Sequence, residues 1–504
     1  MIVNRITANA PAGGRISFAR LDGTETLELA ELHRRAGLLA GALAELGIGP
    51  GDRIGILAAN SPQWVLLDLA ALWLGAETAG FEPGKFEPDR RLISRYGLRL
   101  LFTDRPAEAA GPEAADVLPL AEVDRLIEKA HPAPEPVVWE PHRVTTVKFT
   151  SGSTGEPKGL GATAASIDGS LRAVQDMFHH REGDDLFVFL PLSLLQQRYW
   201  IYSALRHGHD VTVSTYEAAF ATMRRSRPTV VMGVPAFFET ARRHIEARAA
   251  RSGKPVGEQA AQLFGDRIRY LWTGSAPAAP ATLRFFNEAG LPIFEGYGLN
   301  ETCIVAKNHP GASREGSVGR VVPGKEVLLD ADGVISVRSV HPVNDHYAYA
   351  APGDSEKVFR PGGIVRTGDL GLIDQDGYLY ILGRADDVIV LENGKKIVVR
   401  PIEERLTSGP AITEAVLFCP RQTELVAVVR PAHYPPDEAA IADALADANA
   451  ALGKDERIAR AIVAREPFTV ENGLLTSQFK PRRPQIRATY ATDLANPQEG
   501  IHAR

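Results

Sequence analysis

Residues 144–159 read VTTVKFTSGSTGEPKG. The opening VTTVKF has the β-branched and aromatic content of a strand. From Thr150 to Gly159 the chain packs hydroxyls, glycines and one lysine into a tight loop. Glycine lets a backbone approach a phosphate closely, while hydroxyls, amides and lysine donate to its oxygens. A merely flexible glycine–serine loop shares that composition but not the Pro157-Lys158-Gly159 ending. The spacing differs from a Walker P-loop, which disfavours ordinary kinase or GTPase chemistry.

Working outward, short apolar runs recur at 53–57, 186–190, 229–232, 268–272 and 293–294, separated by helical-period stretches such as 237–247. This alternation predicts an α/β fold with strands buried on both faces and ligands beyond their carboxyl ends. Upstream, Leu29, Leu32, Ala36, Leu39, Leu43 and Leu46 make one apolar helix face, closed by Gly47 and Pro50. After about residue 310 the texture changes. Runs at 327–329, 334–337, 379–382 and 388–391 flank Asp332-Gly333, Asp376-Gly377 and Asn393-Gly394, which is antiparallel hairpin chemistry. Strands at 416–418 and 425–429 and an Ala-rich helix at 438–452 follow. A boundary near 383–387 divides the chain into an N-terminal domain, 1–383, and a C-terminal domain, 384–504. The tail after Arg487 has no apolar period and reads as a loosely held end.

Composition narrows the function classes. The chain has 504 residues, 44% hydrophobic and 23% charged, enough for a sizeable core. A net charge of -6 argues against nucleic-acid binding, which needs a clustered basic surface. Two cysteines, Cys303 and Cys419, exclude a disulfide scaffold or a cysteine-rich zinc module. The most apolar early run, 64–75, contains Asp68 and falls short of the roughly 20 residues that span a bilayer. With no signal peptide in the opening stretch, the expectation is a cytoplasmic protein without a membrane span.

FTSGSTGEPKG (149–159) resembles the phosphate-loop signature of the adenylate-forming superfamily, which includes acyl-CoA synthetases, nonribosomal-peptide adenylation domains and beetle luciferase. Further motifs of that family follow in its order. GDRIGILAANSPQW (51–64) is similar to its amino-terminal signature, and Gly274-Ser275-Ala276-Pro277 to the loop carrying adenine and the acyl-pocket wall. Gly296-Tyr-Gly-Leu-Asn-Glu301 resembles the YGxTE element, SVGRVVPGKEV (317–327) the turn after it, and Arg366-Thr-Gly-Asp369 the ribose-binding segment. Gly383-Arg-Ala-Asp-Asp387 with NGKKI (393–397) resembles the hinge. NGLLTSQFKPRR (472–483) is similar to the carboxyl-terminal lysine segment in its long-chain fatty-acid–CoA ligase form. The resemblance implies a large N-terminal domain of layered α/β subdomains plus a distorted β-barrel portion, with a small mobile α+β C-terminal domain.

It also implies ATP-dependent activation of a small carboxylic acid as acyl-AMP, with Mg²⁺, and transfer to coenzyme A or to phosphopantetheine on a possible acyl carrier protein. Attack of a carboxylate on the α-phosphate needs cations and donors fixed around the phosphates. Thr150, Ser151, Gly152, Ser153, Thr154, Gly155 and Lys158 would cradle the β- and γ-phosphates. Glu301 would hold Mg²⁺, which prefers one or two carboxylates plus phosphate oxygens. Asp369 and Arg384 would bind the ribose, and Tyr297, beside Gly298, would stack on adenine. Lys480 matches the lysine that bridges the substrate carboxylate and the α-phosphate; taken alone, its Lys-Pro-Arg-Arg cluster reads as a solvated basic tail. Asp386 is the expected pivot of a swinging C-terminal domain.

The chain departs from the pattern at two places. Asn300 replaces the threonine of YGxTE, and Leu194 stands where an aromatic or His gate is usual, with Gln196, Gln197, Tyr199 and Trp200 behind it. The acyl pocket is expected from 231–238, 274–277 and 297–299. Cys303 reads as a buried inert thiol without a His partner, and His179-His180 as a solvated loop pair. Two alternatives remain open: an AMP-forming ligase with an unusual acid or acceptor, such as nitrite-dependent diazotisation of an aryl amine, and a degenerate nucleotide-binding regulator.

Overall fold

The computed structural model describes residues 1–105, 116–129, 131–150, 157–476 and 481–503. Two large sheets dominate. One has six strands in the order Val117–Pro119, Leu100–Thr103, Arg53–Leu57, Glu77–Phe81, Val144–Thr150 and Lys158–Thr163. All its pairs are parallel except the last, in which Thr150 faces Lys158 antiparallel. The loop that opened the sequence reading is thus a connection between antiparallel neighbours. The second sheet has nine strands, with a parallel block from Arg15–Ala19 to Ile293–Leu299 and antiparallel strands at both edges. The expected α/β alternation holds in both.

Helix Pro62–Leu74 is buried along nearly its whole length, which is why its sequence is apolar all round. Ser61 caps it by accepting from Trp64 N, and Gly75 ends it in the left-handed region. The one acidic residue of the run, Asp68, is matched from helix Leu195–His207. Arg198, about 1% exposed, donates to Asp68 Oδ1 at 2.8 Å and to Thr146 Oγ1 at 3.1 Å. Tyr202 donates to Asp68 Oδ2. This network joins a helix over the second sheet to Thr146 and Thr78 of the first.

Helix Leu29–Glu45 buries Leu29, Leu32, Ala36, Leu39 and Leu43 as the periodicity predicts. Leu46 does not belong to that face: it is the cap residue, 48% exposed, and the chain turns at Gly47 before its side chain reaches the core. Beyond residue 320 the hairpin expectation is met. Lys325–Leu329 pairs with Val334–Ser339, Ile364–Ile373 with Leu379–Arg384, and Ile389–Val390 with Lys396–Ile397, all antiparallel. The first four of these, with Phe359–Arg360, form a five-stranded antiparallel sheet, the barrel-like portion.

The smaller C-terminal part is a four-stranded sheet with helices Val399–Leu406 and Glu438–Ala450. Its tail is not loosely held, contrary to the sequence reading. Tyr490 and Leu494 are buried, and Ile501–His502 pairs with Arg460 and Ala461. The anchor is Arg460, almost fully buried, which donates to the carbonyls of Asp493, Leu494 and Glu499 at 2.7–3.2 Å. Hydrogen bonds from one distant guanidinium leave no periodic trace in the tail itself. Among the described residues no helix is long and apolar enough to cross a membrane.

Removing Arg198 alone leaves the Asp68 charge buried and unpaired, a change that costs about 3–5 kcal/mol. Arg198→Leu is therefore expected to lower stability by about that amount in urea unfolding. Asp68→Leu with Arg198→Leu should recover most of the loss, because no uncompensated charge remains.

Candidate active site

Three structural elements meet around strand Ile293–Leu299. On one side lies the segment Thr367-Gly368-Asp369 of strand Ile364–Ile373. Register places Asp369 opposite Arg384. Arg384 Nη1 donates to Asp369 Oδ1 at 3.0 Å and to the Thr367 carbonyl at 2.9 Å. Tyr297 Oη donates to Asp369 Oδ2 at 2.6 Å. Burial, reinforced by that carboxylate, pushes the phenol's pKa up and keeps it a donor. Gly368 has φ +75, and a Cβ there would lie 2.8 Å from Arg384 Nη2. The positive φ favours glycine, and any side chain there would have to push the Arg384 guanidinium aside.

On the other side, Glu301 Oε1 accepts from Tyr347 Oη at 2.7 Å. Lys158 Nζ sits 5.2 Å over the Tyr347 ring and 2.8 Å from Asp354 Oδ2. Gly159 and Ala348 exchange two backbone hydrogen bonds at 2.8 Å, which fixes the Tyr347 segment beside the lysine strand. The hydrogen bond and charge of Lys158 hold the Asp354 carboxyl below its ordinary value. The two expected catalytic residues Glu301 and Lys158 are therefore brought together, bridged by Tyr347. No motif singled out Tyr347 or Asp354; only the fold places them here. Ser151, Gly152, Ser153, Thr154, Gly155 and Lys480 lie outside the described residues, as does the Thr150 side chain.

Glu301 Oε2 makes no hydrogen bond among the described residues, which also contain no cluster of three or more His, Cys, Asp or Glu able to cage a metal. A single carboxylate with a free oxygen fits Mg²⁺, which takes its remaining ligands from phosphate and water.

Beside Tyr297 and Asn300 opens a cavity of about 340 Å³. Gly274, Ser275, Tyr297, Gly298 and Asn300 line it, and Ser275 is held at φ +70 just after strand Tyr270–Thr273. Ala276 and Pro277, expected in the same wall, are not in it. Of the expected 231–238 stretch only Met232, Gly233 and Val234 contribute. Phe237 and Phe238 turn instead into a core with Phe264 and Phe286, where their large apolar area is better buried. The wall is completed by Leu194, Gln196, Gln197, Tyr199, Trp200 and Ser203 and by helix Ala164–Phe178, which the sequence reading did not anticipate.

Cys303 is buried, as its residue type suggested, and among the described residues it is not isolated. Its Sγ lies 3.4 Å from Tyr199 Oη and 3.9 Å from Lys148 Nζ. Burial opposes thiolate formation, yet Lys148 and Tyr199 bring the thiol's pKa below its usual value. His180 is buried rather than solvated, 2.5 Å from Tyr270 Oη, while His179 is exposed. Tyr270 is stacked on Phe178, so this histidine belongs to an aromatic core. Past Arg384 the chain makes a short turn, Ala385–Asp387. There the exposed Asp386 accepts from Arg384 Nε at 3.1 Å, and Asp387 pairs with Arg483 at 3.3 Å.

The sequence profile described as AMP-binding enzyme matches residues 7–338, and that of the AMP-binding enzyme C-terminal domain matches 386–496. The long-chain-fatty-acid–CoA ligase FadD15 of Mycobacterium tuberculosis is 28% identical over 94% of this chain and 92% of its own length. A carboxylic acid reductase of the same organism is 26% identical, over 96% of this chain and 47% of its own. Among solved structures, O-succinylbenzoate coenzyme A synthetase (MenE) from Bacillus subtilis with AMP superposes with a TM-score of 0.76 at 23% identity, covering 96% of this chain and 98% of that one. The anthranilate CoA ligase AuaEII with anthranoyl-AMP gives 0.81 at 21% identity, covering 97% and 96%. With its two-domain fold and two profile matches, the chain belongs to the AMP-binding enzyme family.

Proposed function

We propose that this chain uses ATP to convert a carboxylic acid into its acyl-adenylate, releasing pyrophosphate, and then passes the acyl group to a thiol of coenzyme A or carrier-bound phosphopantetheine. One observation carries the reading: strand Ile293–Leu299 and its extension to Glu301 touch a paired Asp369–Arg384, a largely apolar cavity and the Lys158–Tyr347 group together. Sugar, acid and phosphates would thus be held within reach of one another. The names of the similar ligases, and the adenylates bound in the similar structures, support it.

In this reading Asp369 accepts from the ribose hydroxyls through lone pairs left free by Tyr297 and Arg384. Lys158 leaves Asp354 for the phosphates, so the nucleotide meets a cation already desolvated and aimed. Glu301, steadied by Tyr347, is the residue that would hold Mg²⁺; the ion, when bound, draws charge off the phosphate oxygens. Lys480 would offset charge where the acid's carboxylate meets the α-phosphate. The domains, 1–383 and 384–504, would rotate at Asp386 between the two half-reactions, admitting coenzyme A or an acyl carrier protein in the second.

Carboxylate-dependent ATP–pyrophosphate exchange tests the first half-reaction. Lys158→Ala and Lys480→Ala should each lower it on the order of a hundred- to thousandfold, with AMP as the nucleotide product of full turnover. Production of ADP, or exchange that needs no acid, would overturn the reading. Gly368→Ala strains a left-handed position by about 1–3 kcal/mol and pushes Arg384 aside, so AMP affinity in calorimetry should fall roughly tenfold. Asp386→Pro should slow thioester formation more than adenylation in single-turnover assays; equal slowing contradicts the pivot.

A further inference from the structure

Lys158 already holds an anion of the chain's own. Its Nζ lies 2.8 Å from Asp354 Oδ2, and the two side chains are only 16% and 11% exposed. That carboxylate oxygen is buried and makes no other hydrogen bond among the described residues. The backbone sets the contact up in advance. Gly159, next to the lysine, is paired with Ala348 through two hydrogen bonds at 2.8 Å. Tyr347 N donates to Ser355 Oγ at 2.9 Å, which ties the same segment to helix Asp354–Val358. Lysine and carboxylate are thus carried by one short, fixed stretch, and little ordering is needed for them to meet.

The other carboxylate oxygen has a different neighbour. Lys357 Nζ donates to Asp354 Oδ1 at 3.2 Å, from a side chain that is 75% exposed. When Lys158 turns to a phosphate, Asp354 keeps this second ammonium. It does not become the lone buried charge that destabilises a fold most. Both states of the exchange are therefore compensated. A ligand that needs Lys158 unpaired binds with its intrinsic affinity reduced by the fraction of molecules in which the lysine is free. A pair closed in about nine molecules of ten weakens such a ligand about tenfold.

Resting on the ligase reading above, we propose that Asp354 is an internal competitor of the β- and γ-phosphates for Lys158, weakening ATP binding and recapturing the lysine as pyrophosphate leaves. Lys357 moderates that competition from the far side of the carboxylate. AMP has neither outer phosphate, so its binding is indifferent to the exchange. Asp354 in this way separates the affinity for the outer phosphates from the affinity for the nucleoside end.

The test is calorimetric titration of the full chain with ATP, pyrophosphate and AMP in excess Mg²⁺. Asp354→Asn keeps the side chain's size and removes its charge. It should tighten ATP and pyrophosphate binding about five- to tenfold and leave AMP unchanged. Lys357→Met strengthens the hold of Asp354 on Lys158, so ATP and pyrophosphate should bind about two- to threefold more weakly. In the Asp354→Asn background the Lys357 change should have no effect. Partial misfolding cannot imitate a gain in affinity. ATP binding unchanged or weakened by Asp354→Asn would overturn the proposal, because the carboxylate would then be a bystander or a support that aims the lysine. A rise in AMP affinity matching that of ATP would overturn it too, as would a Lys357→Met effect that persists without the Asp354 charge. Acid-dependent exchange with no tightening in Asp354→Asn sinks this inference alone; an unaltered chain that binds no ATP sinks the ligase reading and this one with it.

Discussion

The Asp68–Arg198 pair is the constraint from which the rest of the site follows. It is buried on both sides, Asp68 about 4% and Arg198 about 1% exposed, so neither charge can turn to water without unfolding the contact. Such a pair contributes little net stability, since desolvation offsets its attraction, but it tolerates only one arrangement of the groups around it. Thr78, Thr146 and Tyr202 complete that arrangement. Residues 198 and 202, one turn apart, face the network, while Gln197, Trp200 and Ser203 of the same helix face the cavity. Locking one face of the helix in register fixes what the other face presents.

The proposed nucleotide end of the site is similarly preset. Tyr297 and Arg384 each take one oxygen of Asp369, and Tyr347 takes one oxygen of Glu301. Carboxylates oriented in this way do not reorganise when a ligand arrives, which is the physical basis of electrostatic preorganisation. Lys158 is paired with Asp354, a partner that a polyphosphate would displace in the proposed reading because it offers more negative charge. Between the two ends, strand Ile293–Leu299 acts as the rigid ruler, its sheet neighbours holding it on both sides.

Features governed by neighbours in the chain were legible beforehand. The Asp-Gly and Asn-Gly turns gave hairpins because left-handed positions tolerate few other residues, and helix Leu29–Glu45 followed its apolar period. Leu46 was misjudged because a helix end depends on the cap, not on the repeat. The tail was misjudged because Arg460 holds it from more than thirty residues away. Cys303 illustrates the same limit: its burial was foreseeable from type, but its company of Lys148 and Tyr199 was not.

By itself the sequence determined which residues could handle a nucleotide, since Lys158, Glu301, Asp369 and Arg384 sit in motifs whose chemistry and local turns are encoded within a few positions. Tertiary structure alone decided which of them touch, through Tyr297 and Tyr347, and which helix and strand faces line the cavity. Such properties belong to contacts between distant segments, and no stretch of chain carries them before it is folded.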